Sequence, residues 1–337
     1  MPMKSPSTPG TPGNPTMEDL AQLAGVSKIT VSRALRDSPM VTPETRARIK
    51  ALAEQVGYRF NHSARNLRLR RSHTIAVVLE MQPDADRPMS EPYPLQLLGG
   101  ITQELTTRGY SVLLTAMQSI SNGSLAMPAD GVILLGQGAH GAAVPAVASC
   151  GLPYVVWGAE KGQSQGVVVG SDNHHGGACA AERFLALGRR ELVFLGDTRH
   201  AEINERFLGF QKRLKRAGLK VHTLVPAAFT FGAGFTAVQA YLARSATPPD
   251  ALFAASDLLA MGAVRAVTDA GLSVPDAVSV VGYDDSPAAQ TFAPPLTSVH
   301  QDWRHGGVLL ARKVLDLVAG LPAHSEIMPT ELMVRGT

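Results

Sequence analysis

Cysteine is scarce in this sequence, and long hydrophobic runs are missing. The two cysteines, Cys150 and Cys179, are too few for a disulfide framework, and such sparse usage is typical of a reducing cytoplasm. No apolar run reaches the roughly 18 residues that a membrane-spanning helix needs. Residues 1–15 are rich in Pro, Gly, Ser and Thr and contain no hydrophobic segment, so they predict a disordered tail and not a signal peptide. We therefore expect a cytoplasmic protein without a membrane partner.

Charge, by contrast, is present but unevenly distributed. The 337 residues exceed the usual length of one domain, so more than one unit is expected. Residues 16–72 hold eleven Lys and Arg against five Asp and Glu, whereas residues 73–337 hold 19 against 23. A solvated surface explains a run of charge but not its confinement to one short segment. We predict that this first module binds a polyanion such as nucleic acid.

Three short helices are predicted in the basic module. Each begins after a hydroxyl side chain that is suited to cap it: Thr16, Ser27 and Thr42. Gly25 separates the first two helices, and the third ends at Gly57. Apolar side chains recur at helical spacing and would form a small core: Leu20, Leu23, Ala24, Ile29, Val31, Ala34, Leu35, Ile49, Leu52, Ala53 and Val56. The first two helices around a glycine-containing turn are typical of a helix-turn-helix, whose second helix lies in the major groove of DNA.

The polar face of the second predicted helix favours DNA reading over the alternative of an inert or protein-binding three-helix bundle. It carries the side chains that a groove-reading helix needs: Lys28, Thr30, Ser32 and Arg33. A basic segment, residues 61–68, then precedes the first hydrophobic strand and has almost no core to fold against. Short helices are marginal in water, so we expect this segment to fold only on DNA or on a partner helix. Leu67, exposed among arginines, would act as a wedge between base steps of the minor groove.

The module resembles the LacI/GalR (lactose-repressor/galactose-repressor) family of transcription regulators. The resemblance rests on three stretches: Thr16-Met-Glu-Asp-Leu-Ala with Ala24-Gly-Val-Ser27-x-x-Thr30-Val-Ser32-Arg33-Ala-Leu35, then Val41-Thr-Pro-Glu44-Thr-Arg46, then Gly57-Tyr58-x-x-Asn61 with Ala64-Arg65-x-Leu67. It extends from Thr16 nearly to the end of the chain. Phe60 departs from it, since many members have Pro there.

The family resemblance assigns DNA contacts to residues of this module. It implies that Lys28, Ile29 and Arg33 read bases and that Leu67 enters the minor groove. Ile29 is apolar, so it can touch a thymine methyl group but cannot make a bidentate hydrogen bond. The full set of expected DNA-binding residues is Thr16, Ser27, Lys28, Ile29, Thr30, Ser32, Arg33, Asn61, Ala64, Arg65, Leu67 and Arg68.

After residue 72 the sequence alternates between short apolar runs and helical stretches. The predicted strands are Ile75–Leu79, Val112–Thr115, Gly131–Leu135, Tyr154–Trp157, Leu192–Gly196, Ala251–Ala255 and Val278–Gly282. The predicted helices are Leu97–Arg108, Ala142–Ser149, Gly177–Leu187, Arg206–Ala217, Gly234–Ser245, Asp257–Ala270 and His305–Ala319. This alternation predicts parallel sheets covered by helices, in two doubly wound halves with a ligand cleft between them.

Several polar and aromatic residues follow the predicted strands. Arg206 is expected to open a helix, Asp284 follows a strand, and both could bind hydroxyl or carboxylate groups. Phe229 and Tyr93 could supply an apolar face for a sugar ring. Asp257 also follows a strand, but we interpret it as a helix cap.

The same family resemblance covers this body and identifies it as a sensor domain like periplasmic sugar-binding proteins. It rests on Ser279-Val-Val-Gly282-Tyr-Asp284-Asp with Pro294-Pro-Leu296-Thr-Ser-Val-His300-Gln301. It implies effector contacts by Tyr93, Asn173, Arg206, Phe229, Ser256 and Asp284. Ser256 stands where many members carry Asn, and Asn173 alternatively belongs to a structural turn.

Three patterns that resemble enzyme or cofactor motifs are weak. Gly162-Gln-Ser164-Gln-Gly166 matches a nucleophile elbow but lacks its strand-turn-helix context. The adjacent histidines His174 and His175, near Cys179, favour a helix start over a metal site. Gly99-Gly100 lacks the other glycines of a dinucleotide fingerprint. We therefore expect no enzyme activity, no metal and no cofactor.

The sequence predicts an all-α helix-turn-helix headpiece and an α/β two-lobed, periplasmic-binding-protein-like sensor with doubly wound parallel sheets. The expected divisions are a disordered tail (1–15), the DNA-binding domain (16–60), a hinge helix and linker (61–72), and an effector-binding and dimerisation domain (73–337). Its first lobe would comprise about 73–170 and 300–325, and its second about 171–299 and 326–337.

The function that follows is a ligand-responsive regulator that binds a pseudo-palindromic operator in double-stranded DNA. The resemblance implies a repressor of carbohydrate genes that is switched by a small sugar, with a purine as the alternative effector. No heptad repeat follows Val334, so we expect a homodimer, cytoplasmic and nucleoid-associated when bound. A transport-associated sugar receptor and a hydrolase using Ser164 are the rival functions. Whether the effector releases or strengthens DNA binding stays open.

Overall fold

The computed structural model describes residues 15–58, 71–80, 92–121, 123–160 and 166–337. The chain divides into two compact units, Met1–Arg70 and Arg71–Thr337. The predicted disordered tail lies almost wholly outside the described residues, and the predicted hinge helix at 61–68 lies entirely outside them.

The first unit contains the three predicted helices, α1 (Met17–Ala24), α2 (Lys28–Ala34) and α3 (Pro43–Gln55). Each of the three predicted caps is present. The Thr16, Ser27 and Thr42 hydroxyls accept hydrogen bonds from the backbone N–H groups of Asp19, Thr30 and Thr45. Gly25 ends α1 in the left-handed conformation, with φ of 63°, which a residue without a Cβ adopts at little cost.

The core of the first unit is smaller than the apolar pattern predicts. Its buried members are Leu20, Ala21, Ala24, Val31, Ala34, Val41, Ile49 and Ala53. Leu23 and Ile29 were expected among them, but their side chains are 61% and 63% exposed.

The second unit contains two six-stranded sheets. The first runs in the order β13-β7-β6-β5-β1-β2 and the second in the order β14-β12-β11-β10-β8-β9. The strands are β1 (Thr74–Leu79), β2 (Ser111–Ala116), β5 (Gly131–Leu135), β6 (Tyr154–Trp157), β7 (Val167–Ser171), β8 (Leu192–Leu195), β9 (Val221–Leu224), β10 (Ala251–Ala254), β11 (Ser279–Asp284), β12 (Thr297–His300), β13 (Glu326–Met328) and β14 (Glu331–Met333). The alternating pattern predicts two parallel sheets but only seven of these twelve strands, since β7, β9, β12, β13 and β14 were not predicted. Two short strands, β3 (Ile120–Ser121) and β4 (Ser124–Leu125), form a separate hairpin.

Helices cover both sheets. They are α4 (Pro92–Thr107), α5 (Ala143–Ala148), α6 (Asn173–Ala186), α7 (Ala201–Arg216), α8 (Phe231–Leu242), α9 (Asp257–Asp269), α10 (Pro287–Thr291) and α11 (Trp303–Val318). Among the described residues, the paired strands are parallel except for β12 with β14 in the second sheet and for the β3–β4 hairpin. Central strands are apolar along their whole length because both of their faces are buried, as β5, β8 and β10 illustrate.

The core of the first lobe has two layers, one on each face of the sheet, because side chains alternate between the two faces along each strand. On β1, Ile75 and Val77 belong to the layer that includes Leu310 of α11. Ala76 and Val78 face the opposite side, toward α5. The same period of two residues explains why one short strand contributes to both layers.

The chain passes between the lobes three times: after β7, after β12 and between β13 and β14. The third passage lies later than the sequence predicts. Glu326–Met328 pairs with β7 of the first sheet, so the first lobe extends to residue 328 and not to about 325. A strand of three residues between two loops gives too little periodicity to assign to one sheet from the sequence.

Five helices begin earlier than predicted: α4, α6, α7, α8 and α11. α6 starts at Asn173 because the Asp172 side chain caps it by accepting from the His175 backbone N–H. α7 starts at Ala201, so Arg206 lies in its second turn and does not open it. Among the described residues, no helix is long and apolar enough to cross a bilayer.

Candidate functional site

The second helix of the first unit presents the predicted base-reading side chains to solvent. Ile29 is 63% exposed and Arg33 is exposed, whereas Val31 and Ala34 on the other face are buried. Ser27, Lys28 and Thr16 are also exposed, and Thr30 and Ser32 are half-buried. An exposed Ile at the start of this helix has no role in the core, which leaves it available for an apolar contact with a base.

Lys28 and Thr16 also have partners within the unit. The Lys28 ammonium pairs with the Glu18 carboxylate. The Thr16 backbone N–H and hydroxyl both donate to Asp19, at 2.8 and 2.7 Å, and these bonds lower the pKa of that carboxyl. The remaining predicted DNA contacts, Asn61, Ala64, Arg65, Leu67 and Arg68, lie outside the described residues, as does Phe60.

A cleft in the second unit collects most of the predicted effector-binding residues. The cleft is partly open to solvent and is lined by Tyr93, Trp157, Glu202, Ile203, Arg206, Phe229, Ser256, Asp284 and Gln301. Five of the six predicted residues belong to this lining, and Asn173 does not.

Arg206 is held in place from several directions. Its Nε donates to Asn173 Oδ1 at 2.8 Å, and one Nη donates to the carbonyl oxygen of Ala255. Its guanidinium carbon lies 3.6 Å from the centre of the Tyr283 ring, a distance suited to a cation–π interaction. Asn173 therefore supports the arginine from behind, and its own Nδ2 donates to Ser171 O.

Asp284 faces Arg206 at the end of β11. The closest oxygen of Asp284 lies 3.9 Å from Arg206 Nη1, too far for a direct hydrogen bond. Gln301 Nε2 donates to the same carboxylate at 2.7 Å. A ligand hydroxyl placed between the two charges can accept from the guanidinium and donate to the carboxylate, which is the chemistry of diol recognition.

Glycine allows the helix that carries Arg206 to approach α6 closely. A Cβ at Gly177 would meet the backbone carbonyl oxygen of Arg206, and a Cβ at Gly209 would meet that of His174. Neither neighbour is a flexible side chain that could move aside. The two glycines therefore fix the depth at which Arg206 enters the cleft.

Asp257 has a different role from the helix cap that the sequence suggests. Ser256 caps α9, since its hydroxyl accepts from Leu259 N. Asp257 is buried and accepts from the Ser286 backbone N–H at 2.7 Å and from the Ser298 hydroxyl at 2.6 Å. Burial and then repulsion from Asp284 raise the pKa of the Asp257 carboxyl to about 8. It links the segment after β11 to strand β12.

Aromatic side chains from both lobes meet in the cleft. Tyr93 and Trp157 come from the first lobe, and Phe229 comes from the second. Phe229 is 3% exposed and packs edge-on against His200, with ring centres 5.3 Å apart. Tyr93 packs edge-on against Trp303 at 5.8 Å. Such faces can stack on the C–H surface of a sugar or on a base.

Four lining residues were not predicted: Trp157, Glu202, Ile203 and Gln301. Trp157 ends a correctly predicted strand, so its position was a usable signal. Glu202 and Ile203 were missed because α7 was expected to begin only at Arg206. Gln301 follows β12, within the segment that resembles the family signature.

The described residues include the histidine pair and Cys179 of the weak metal motif, but not the whole of the enzyme motif. Ser164 lies outside them. His175 Nε2 lies 3.4 Å from Cys179 Sγ within the first turns of α6, and burial raises the pKa of that thiol. Among the described residues, no cluster of three His, Cys, Asp or Glu side chains could hold a metal ion.

Comparison with known proteins covers both units. Residues 16–61 match the family "Bacterial regulatory proteins, lacI family", and residues 181–337 match "Periplasmic binding protein-like domain". The HTH-type transcriptional regulator CelR of Thermobifida fusca is 35% identical over 332 residues, which cover 95% of this chain and 97% of that protein. The probable HTH-type transcriptional repressor ExuR of Bacillus subtilis (strain 168) is 29% identical, with 95% and 97% covered. These relatives are regulators and not enzymes.

Solved structures agree with the sequence relatives. The Lac repressor dimer bound to operator and the anti-inducer ONPF matches with a TM-score of 0.84 and 26% identity, covering 96% of this chain and 98% of that one. The complex of the transcriptional regulator CelR with cellobiose matches with a TM-score of 0.68 and 30% identity, covering 96% and 99%. The protein described here belongs to the LacI family of DNA-binding bacterial transcription regulators.

Proposed function

We propose that the protein is a repressor of carbohydrate uptake or catabolism genes, which binds its operator as a homodimer and responds to a small saccharide. The observation that carries the proposal is the cleft, where an arginine, a carboxylate and aromatic side chains from both lobes line one opening. Polar groups of this kind bind hydroxyls, and aromatic faces bind the apolar side of a sugar ring. Similarity to a regulator solved with cellobiose supports the same ligand class.

On the DNA side, the proposal rests on the exposed face of α2. A dimer would place two such helices on the half-sites of a pseudo-palindromic operator. Residues 61–68 would form paired hinge helices at its centre, with Leu67 inserted between base steps. In the cell we infer a cytoplasmic protein that is associated with the nucleoid when bound.

The effector would act by changing the angle between the lobes. A ligand that touches both lobes prefers one angle, and this preference shifts the equilibrium between operator-competent and incompetent states. A hundredfold preference would correspond to about 2.7 kcal/mol.

The DNA-binding half is tested by selecting an operator from random DNA and measuring its affinity at several salt concentrations. We expect a steep decrease in affinity with salt, because phosphate contacts release counterions. Arg33→Ala and Leu67→Ala should each weaken operator binding roughly 5- to 150-fold, the range for losing a specific contact worth about 1–3 kcal/mol. Arg216→Ala, exposed on α7 of the sensor, is the control and should leave the affinity unchanged. Unchanged affinity in both headpiece variants would overturn the proposed readout.

The effector half is tested by thermal-shift screening of saccharides and nucleobases on the full chain. A ligand that binds only the folded state raises the melting temperature by mass action. Each hit is then added to the protein–operator complex, where a change in affinity identifies it as an effector and its sign separates inducer from co-repressor. Stabilisation by nucleobases alone would replace the saccharide with a purine.

A further inference from the structure

The described cleft carries an acidic side chain beyond its arginine–carboxylate pair. Its charged lining residues are Glu202, Arg206 and Asp284. Arg206 and Asp284 oppose each other across 3.9 Å, with side chains that are only 9% and 14% exposed. These two charges balance, so Glu202 leaves the described lining with an excess of one negative charge.

Glu202 is positioned to affect a ligand at Arg206. It precedes the arginine by four residues on α7, and side chains at this spacing lie on the same helix face, about 5–6 Å apart. Both line the cleft. An anion drawn to the guanidinium would therefore also approach the Glu202 carboxylate.

The guanidinium itself is poorly placed to receive an anion. Its Nε and one Nη already donate to Asn173 and to the backbone at Ala255, and its face lies on the Tyr283 ring. Asp284 approaches it from the front. A second carboxylate would have to displace Asp284 or experience its repulsion, which water screens weakly because the Arg206 and Asp284 side chains are largely buried.

By contrast, a neutral polyol can donate hydroxyl hydrogens to the Glu202 and Asp284 carboxylates and accept hydrogen bonds from Gln301 and Arg206. We propose that Glu202 makes this cleft select uncharged saccharides over their anionic counterparts, such as uronates and sugar phosphates. This inference rests on the proposed saccharide-responsive function and names the charge class of its ligand. Glu202 acts by accepting hydroxyl hydrogen bonds from the neutral ligand and by repelling a carboxylate or phosphate near Arg206.

The test measures binding to the full chain by isothermal titration calorimetry at low salt. The probes are neutral disaccharides, beginning with cellobiose, and the same sugars with a terminal hydroxymethyl group oxidised to a carboxylate. We expect the wild type to bind the neutral form of its ligand at least tenfold more tightly, a difference of about 1.4 kcal/mol. Glu202→Gln should reduce that ratio about tenfold by strengthening the acid form. The matched control Glu205→Gln, on the same helix but outside the lining, should keep the wild-type ratio.

Two results would overturn the inference: tighter or equal binding of the acid form by the wild type, or an unchanged ratio in Glu202→Gln. A separate arm applies glucuronate and inorganic phosphate at millimolar concentration in a thermal-shift assay. Stabilisation of the wild type by either anion would also overturn it. If no neutral sugar binds, the saccharide proposal fails. The thermal-shift assay with glucuronate and phosphate then still tests whether the cleft rejects negative charge.

Discussion

Replacing Arg206 by Met should destabilise the second unit much more than an ordinary arginine substitution does. The change removes the hydrogen bond to Asn173 and leaves the Asp284 carboxylate without its cation in a largely buried position. At 3.9 Å and an effective dielectric constant of about 20, the attraction between the two charges is roughly 4 kcal/mol before desolvation is subtracted. Removing one partner of a buried pair costs about 3–5 kcal/mol, because the other charge remains buried. For a domain of this size class, that corresponds to a decrease of roughly 6–20 °C in melting temperature.

A double-mutant cycle separates the ion pair from the lost packing. Asp284→Asn in the Arg206→Met background removes the carboxylate charge that has lost its cation, so the double variant should regain about 0.5–3 kcal/mol relative to additive behaviour. The measurement is the melting temperature at a fixed scan rate, together with the midpoint of urea unfolding followed by tryptophan fluorescence. The reasoning is refuted if the two single effects add, since the buried charge would then carry no coupling.

The control for this cycle lies on the same helix. Arg213 pairs with Glu182 at 3.1 Å, but the two side chains are 37% and 59% exposed. Exposed pairs contribute about 0–1 kcal/mol, so Arg213→Met should change the melting temperature by only a few degrees. A large decrease in the melting temperature of Arg213→Met would show that shortening any arginine on α7 destabilises the fold.

Two further substitutions test how the cleft is built. Gly177→Ala should destabilise the sensor and weaken effector binding, because its Cβ would meet the Arg206 carbonyl oxygen. Gly99→Ala, whose Cβ would have nothing within 4 Å, should leave stability unchanged or raise it by about 0.5–1 kcal/mol. Calorimetry compares the two variants, and equal changes in stability would contradict the packing argument. Asp257→Asn should flatten the pH dependence of stability, because burial raises the pKa of the Asp257 carboxyl to about 8. The folded state therefore keeps a proton that the unfolded state releases above about pH 4. The resulting stabilisation is lost as the pH rises through 8. Melting temperatures from pH 5 to 8 should therefore fall more steeply in the wild type than in the variant, and parallel curves would count against a raised pKa.

The sequence predicted seven of the sheet strands and the three helix caps of the first unit, but it missed β7 although that strand is apolar and largely buried. The strand Tyr154–Trp157 and the cap at Ser27 have their predicted positions because burial on two faces and helix capping leave a local signature. β13 and the first turn of α7 were missed for the opposite reason. Glu326–Met328 gains its place only by pairing with β7, and Ala201 begins α7 without a side-chain cap.

The residues that decide ligand identity are the ones for which local sequence carries least information. Arg206 and Asp284 were recognisable because they match a family pattern. Glu202 was missed because the first turn of α7 was not predicted, and Trp157 reaches the lining from the other lobe. Since each lobe supplies part of the lining, the cleft has its full set of contacts only at one angle between the lobes. A ligand that makes these contacts binds the protein more tightly at that angle than at other angles, and this difference in binding free energy stabilises the angle. On this argument, a substitution such as Glu202→Gln that changes which ligand binds also changes which ligand can switch the regulator.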